Sequence, residues 1–222
     1  MINDCWYRGK CKKENDNCPN SCIRYNNMKS LITNSGLPKI LQYPKILKAE
    51  PIDEEAFDFL FAIKENIHKY VEEGSCLYLW SNKTGNGKTT WVSKLLLAYF
   101  NAVWAYNSME CRGLYIYTPT LINQLKTQFL NNISMIELIA KIKNADIVIF
   151  DDLGVGNLTD FDINNLLDLI DYRMSNKKST FFTSNLDIES LSKLFGDRLK
   201  SRIINNSIIV ELKGRDRRGE VE

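Results

Sequence analysis

The chain has 222 residues, 44% apolar and 25% charged, which excludes an intrinsically disordered composition and allows a core of ordinary size. Its 29 lysines and arginines nearly balance 27 aspartates and glutamates; a net charge of +2 excludes a whole-surface attraction to nucleic acid, so any basic face must be local. No apolar run reaches the ~18 residues of a membrane span, and the polar, charged start does not read as a secretory signal, so the sequence reads as cytoplasmic.

Residues 1–28 form a distinct opening segment, poor in apolar residues. Four of the six cysteines, Cys5, Cys11, Cys18 and Cys22, fall there. In a reducing compartment clustered thiols bind metal more often than they form disulfides. Four thiolates suit tetrahedral zinc, and free or redox-active thiols and an iron–sulfur cluster are the alternatives. Arg8, Lys10, Lys12 and Lys13 lie among Trp6 and Tyr7, a mixture that suits nucleic acid or a docking partner. Residues 29–52, with Gly36, Pro38, Pro44 and Pro51, read as a linker.

From residue 53 to 222 the pattern alternates between helix and strand. Asp53-Glu54-Glu55 offers an N-cap and an acidic first turn to a helix carrying Phe57, Leu60, Ile63, Ile67 and Tyr70 and ending at Gly74. Strands are predicted at 76–80, 113–117, 146–150, 179–183 and 208–212. Helices are predicted at 88–100, 120–131, 135–143, 162–174, 188–195 and 197–204. Apolar strands alternating with helices imply a parallel sheet covered on both faces. Cys76 and Cys111 read as inert, and His68 as a surface or core side chain.

Between the first strand and the following helix stands Ser81-Asn82-Lys83-Thr84-Gly85-Asn86-Gly87-Lys88-Thr89-Thr90, a phosphate-binding loop. Glycines let main-chain amides turn onto phosphates, and the helix N-terminus adds positive potential. Lys88 reaches the β- and γ-phosphates in this reading, and the Thr89 hydroxyl ligates Mg²⁺. Asn82 stands where the strict pattern has glycine, a mild departure because Asn tolerates left-handed angles. Asp151 and Asp152 end the third predicted strand, where ligands of open parallel sheets bind. Asp151 is expected to hold Mg²⁺, and Asp152 to orient or deprotonate the attacking water. Asn185, after the fourth strand, is expected to touch the γ-phosphate or that water. Arg198, Arg202, Arg215, Arg217 and Arg218 are candidates to supply charge for phosphoryl oxygens, with solvated surface arginine as the alternative.

Taken in order, Ser35-Gly36-Leu37-Pro38, the phosphate loop, Asp151-Asp152-Leu153-Gly154, Asp171-Tyr172-Arg173, Thr180 to Leu186, Gly196 to Arg202 and Gly214 to Arg218 resemble the replicative helicase loaders of the DnaC/DnaI type. These are AAA+ ATPases, and IstB-like transposition helpers share the core. The resemblance implies an αβα sandwich with a parallel five-stranded sheet. It implies ATP and Mg²⁺ as cofactors, self-assembly, and loading of a hexameric ring helicase onto single-stranded DNA. By motif position Arg202 matches the arginine finger, with Arg198 next. Arg217 matches the second sensor, with Arg215 and Arg218 left open. By comparison with the related initiators, neither a helical lid nor a duplex-DNA domain is expected. The family also implies a helical insertion for single-stranded DNA, here about 119–144 with Lys126, Gln128, Lys141, Lys143 and Glu137. N-terminal modules of such loaders dock on the helicase, which assigns that role to residues 1–28. An IstB-like helper and a zinc-containing adaptor with a structural ATP site are the competing readings.

Overall fold

The computed structural model describes residues 5–7, 11, 18, 22–46, 48–105, 112–128, 133–156 and 158–218. Five strands, β1 (Cys76–Trp80), β2 (Gly113–Tyr117), β3 (Ile147–Leu153), β4 (Ser179–Ser184) and β5 (Ser207–Glu211), pair in the order β2-β3-β4-β1-β5. Every pairing is parallel. Side chains alternate faces along a strand, and each face meets its own core. Leu77, Leu79, Ile147 and Ile149 enter one core, while Cys76, Tyr78, Val148 and Phe150 enter the other. This two-faced burial explains why the strands read as continuous apolar runs.

The first core is covered by α1 (Ile23–Asn34), α2 (Glu54–Glu65), α3 (Ile67–Glu72) and α4 (Lys88–Val103). The second is covered by α5 (Thr118–Gln128), α6 (Ile133–Asn144), α7 (Asp160–Ser175), α8 (Ile188–Phe195) and α9 (Asp197–Asn206). Arg173 of α7 lies wholly inside this second layer. Its guanidinium donates to the carbonyls of Ile142, Ala145 and Ser179 and to the Thr180 hydroxyl, joining the end of α6 to β4. Burial brings its pKa down to about 9.

Two expectations change here. The helix expected over 53–74 is two helices, broken at Asn66 (φ −110°, ψ 20°), whose side-chain amide donates to the Ala62 carbonyl. Such competition with the helix ladder is the usual way Asn interrupts it. The boundary expected at residue 28 falls inside α1, which buries Tyr25, Met28, Leu31 and Ile32 in the first core. Its polar interruptions, Asn26, Asn27, Lys29 and Ser30, hide the apolar face from a reading by periodicity. Just beyond α1, the Ser35 carbonyl accepts the Tyr115 amide at 2.8 Å, so this part of the supposed linker borders the sheet edge at β2. No described helix is long and apolar enough to cross a membrane.

Candidate nucleotide site

Strand β4 lies between β1 and β3, so the ends of these three strands stand side by side. A cavity of about 670 Å³ opens there. Residues Thr84 to Thr90 line it from the phosphate loop, Asp152, Val155 and Asn185 from the strand ends, and Arg217 and Arg218 from the C-terminal segment. Lys45, Ile46, Phe57 and Trp91 complete it with a largely apolar patch. Asn82 and Lys83 lie outside this lining; Lys83 donates from Nζ to the Lys213 carbonyl.

The loop takes left-handed angles at Gly85 (φ 70°) and Gly87 (φ 97°), and not at Asn82, so position 82 needs no glycine geometry. A Cβ at Gly87 would meet nothing within 4 Å. Gly87 is the N-cap of α4 and provides no side-chain cap, which leaves first-turn amides for an anion. Lys88 is buried, with Nζ donating to the Lys83 carbonyl at 2.9 Å and to Asn86 Oδ1 at 3.3 Å. Burial pulls its pKa down, Asp152 and Asp151 oppose that, and Arg218 adds to it. Asn86 is itself fixed, its amide donating to Ser81 Oγ and the Leu212 carbonyl.

Asp151 is 2% exposed and accepts from three hydroxyls. Thr89 Oγ1 approaches it at 3.0 and 3.2 Å, and Tyr115 Oη and Thr183 Oγ1 each at 2.6 Å. A carboxylate beside a threonine hydroxyl is a hard oxygen set of the kind Mg²⁺ selects. Asp152 is half-buried with φ 57°, and the β3–β4 register shifts between Phe150 and Leu153. Its amide donates to Thr183 Oγ1 at 2.9 Å. Burial, then the charge of Asp151, raises the Asp152 pKa, while Lys88 and Arg218 pull it back.

The fold thus brings Thr84, Gly85, Asn86, Gly87, Lys88, Thr89, Thr90, Asp152, Asn185 and Arg217 around one cavity, with Asp151 bonded to Thr89 behind them. Arg198 and Arg202 are not in its lining; both pair with Asp171 of α7, at 2.5 and 2.9 Å. Tyr115 and Thr183 hold the acidic pair, yet sequence reasoning gave neither a role. The link lies in the strand register: Tyr115 pairs with Ile149, two residues before Asp151, so both side chains share a sheet face. Arg218 is a further cavity residue. The Arg217 guanidinium donates to the Lys48 carbonyl at 2.6 Å.

Residues assigned to DNA or metal fare differently. Lys126 pairs with the buried Asp162 at 2.9 Å, and Lys143 lies 4.8 Å from the Tyr172 ring centroid. Lys141 and Glu137 are exposed, and the Gln128 side chain lies outside the described residues. Trp6 stacks on Tyr43 (5.7 Å, 4°), and Arg24 covers Tyr7 at 3.4 Å. These rings pack against the first core. Cys5, Cys11, Cys18 and Cys22 are half-buried free thiols. Among the described residues no three His, Cys, Asp or Glu side chains converge on a metal position, so the expected zinc site finds no support. Arg8, Lys10, Lys12, Lys13 and Cys111 lie outside the described residues.

Residues 64–220 match the family model described as IstB-like ATP binding protein. The replicative helicase loader DnaC of Buchnera aphidicola subsp. Baizongia pistaciae is 27% identical over 153 residues, 67% of this chain and 58% of that protein. The loader DnaI of Bacillus subtilis is 27% identical over 174 residues, 72% of this chain and 51% of its own length. The chain thus spans little more than half the length of these relatives. A crystal structure of the DnaC helicase loader superimposes with a TM-score of 0.67 at 21% identity, covering 79% of this chain and all of that one, which shows a shared fold.

Proposed function

The chain belongs to the IstB-like ATP binding protein family, and from that premise we propose that it is an ATP-dependent loader of a ring-shaped replicative helicase onto single-stranded DNA. The observation that carries the ATPase half is the contact between Thr89 and Asp151, which joins phosphate loop to acidic strand beside the buried Lys88. The names of the relatives support the partner.

In this reading bound ATP with Mg²⁺ supplies the phosphoanhydride bond to be broken. Amides of the phosphate loop and Lys88 bind its phosphates, replacing the contacts Lys88 makes to Lys83 and Asn86. Thr89 and Asp151 would hold the metal, the latter oriented by Tyr115 and Thr183. Asp152 takes the proton of the attacking water on its carboxylate, and its raised pKa strengthens it as a base. Asn185 orients that water. Arg202, away from its own cavity, serves a neighbouring subunit in an ATP-dependent assembly. Hydrolysis is a slow switch between helicase-bound and released states.

Residues 1–28 are proposed to dock on the helicase. Deleting them all would strip Tyr25 and Met28 from the core, so exchanging Arg8, Lys10, Lys12 and Lys13 for serine is the cleaner test. Affinity capture of the chain from its own cells, with ATP present, should bring down the replicative helicase, and the serine variant should not. Lys88→Ala should lose ATP binding. Capture of a transposase in place of a helicase would favour the transposition-helper reading, which the family description supports. ATP turnover no higher in the parent than in Asp152→Asn, with DNA and partner saturating, would favour an adaptor.

A further inference from the structure

Asp53 occupies the N-cap position of α2, where an aspartate normally accepts a first-turn amide, yet its side chain makes no capping bond. Instead its buried carboxylate reaches across the chain. Oδ1 accepts the Lys213 amide at 2.6 Å and Oδ2 the Gly214 amide at 2.9 Å. The approach is tight: a Cβ at Gly214 would stand 2.6 Å from Oδ2. Glu50, one turn earlier, pairs with Arg215 at 3.2 Å. The segment so gripped is pinned at both ends. The Leu212 amide donates to the Trp80 carbonyl at 2.9 Å, and the Arg217 amide to the Gly85 carbonyl at 3.0 Å. Arg217 and Arg218 then enter the cavity.

We propose that Asp53 is a positioning residue of the nucleotide site, its carboxylate fixing the segment Leu212–Arg218 so that Arg218 reads the terminal phosphate. The inference rests on the reading of the cavity as an ATP site. Arg218 suits the part because it lines the same cavity as Lys88 and Asp152, the groups assigned to the γ-phosphate and its attacking water. Arg217 is engaged with Lys48, on the same stretch that carries Glu50 and Asp53. The carboxylate oxygens accept charge-assisted bonds from main-chain amides, which set the backbone more firmly than exposed ion pairs do.

The test measures ATP and ADP affinities by competition against a fluorescent ADP analogue. Asp53→Ala should weaken ATP about tenfold while ADP stays within about twofold, the pattern Arg218→Ala should also give. Gly214→Ala reaches the same end by pushing the carboxylate away, and serves if Asp53→Ala folds poorly. The double variant Asp53→Ala, Arg218→Ala should be no worse than Arg218→Ala alone. Equal losses of ATP and ADP, an unchanged ATP-to-ADP ratio with a lowered Tm, or multiplying effects in the double variant would overturn the proposal. A Lys88→Ala chain that binds both nucleotides normally would instead sink the reading of the cavity itself.

Discussion

Tyr115→Phe removes one oxygen from the site and almost no volume. The hydroxyl donates to Asp151 Oδ2 at 2.6 Å from a ring that is 9% exposed, so Phe leaves no cavity of consequence. Burial first, and then Asp151, push the tyrosine pKa upward, so the hydroxyl stays a donor at every pH of interest. A hydrogen bond to a charged group is worth about 1.5–3 kcal/mol. Thr89 and Thr183 still donate to the carboxylate, so the loss should fall at the low end, about 1.5 kcal/mol by urea denaturation. The functional effect should be larger, because groups that orient metal ligands typically carry about 10–100-fold in metal affinity or activity. Titrating Mg²⁺ against ATP hydrolysis should therefore move the midpoint upward by at least about tenfold, with metal-free nucleotide binding unchanged. A midpoint within about twofold of the parent would refute the idea that Tyr115 aims Asp151 at a metal.

Arg173→Lys should cost about 3–5 kcal/mol in urea melts, since a single ammonium cannot satisfy three carbonyls and a hydroxyl held by a buried fork. A loss under about 1 kcal/mol would mean that water or neighbouring donors replace it. Asp152→Asn should abolish hydrolysis, keep ATP binding, and raise the Tm of the nucleotide-free protein at neutral pH. The sign follows from the raised pKa. The folded state disfavours the ionised carboxyl, so the ionised group costs stability above its folded pKa, and the cost fades as acid protonates it. The same shift places the acid limb of the hydrolysis profile above the ordinary aspartate value of 3.8; a Tm below that of the parent at neutral pH would contradict this account.

The phosphate loop that lines the cavity could be read from the sequence, because its residues are local. Gly85, Gly87, Lys88 and Thr89 follow one another in a single turn, and one turn can be recognised from its own residues. Strand positions were legible for a similar reason: β1 and β3 are buried on both faces and so leave uninterrupted apolar runs. What stayed hidden depends on which strands and loops become neighbours. Tyr115 acts on Asp151 only because β2 pairs with β3 in one register. Thr183 reaches both acids only because β4 lies against β3. Asp53 looked like an ordinary helix cap, and no local signal says that its oxygens go to residues 213 and 214. Helix α1 escaped for a different reason: its buried face is narrow and broken by Asn and Lys, so periodicity gave no warning.

The adjacent acids pose a geometric problem that the backbone solves. Consecutive residues in a regular strand face opposite ways, so Asp151 and Asp152 could not both serve one site from an ideal β3. The register shift after Phe150 and the left-handed turn at Asp152 break that alternation, and Thr183 holds the result by accepting the Asp152 amide while donating to Asp151. A non-glycine residue at φ 57° costs of order 1 kcal/mol. Desolvation and the neighbouring charge disfavour the Asp152 carboxylate as well. Both burdens fall on the residue assigned to proton removal, and the charges of Lys88 and Arg218 offset the second only in part. Under the proposed function, that concentration of strain and charge at one position is what would distinguish a strand end that serves hydrolysis from one that turns at the surface.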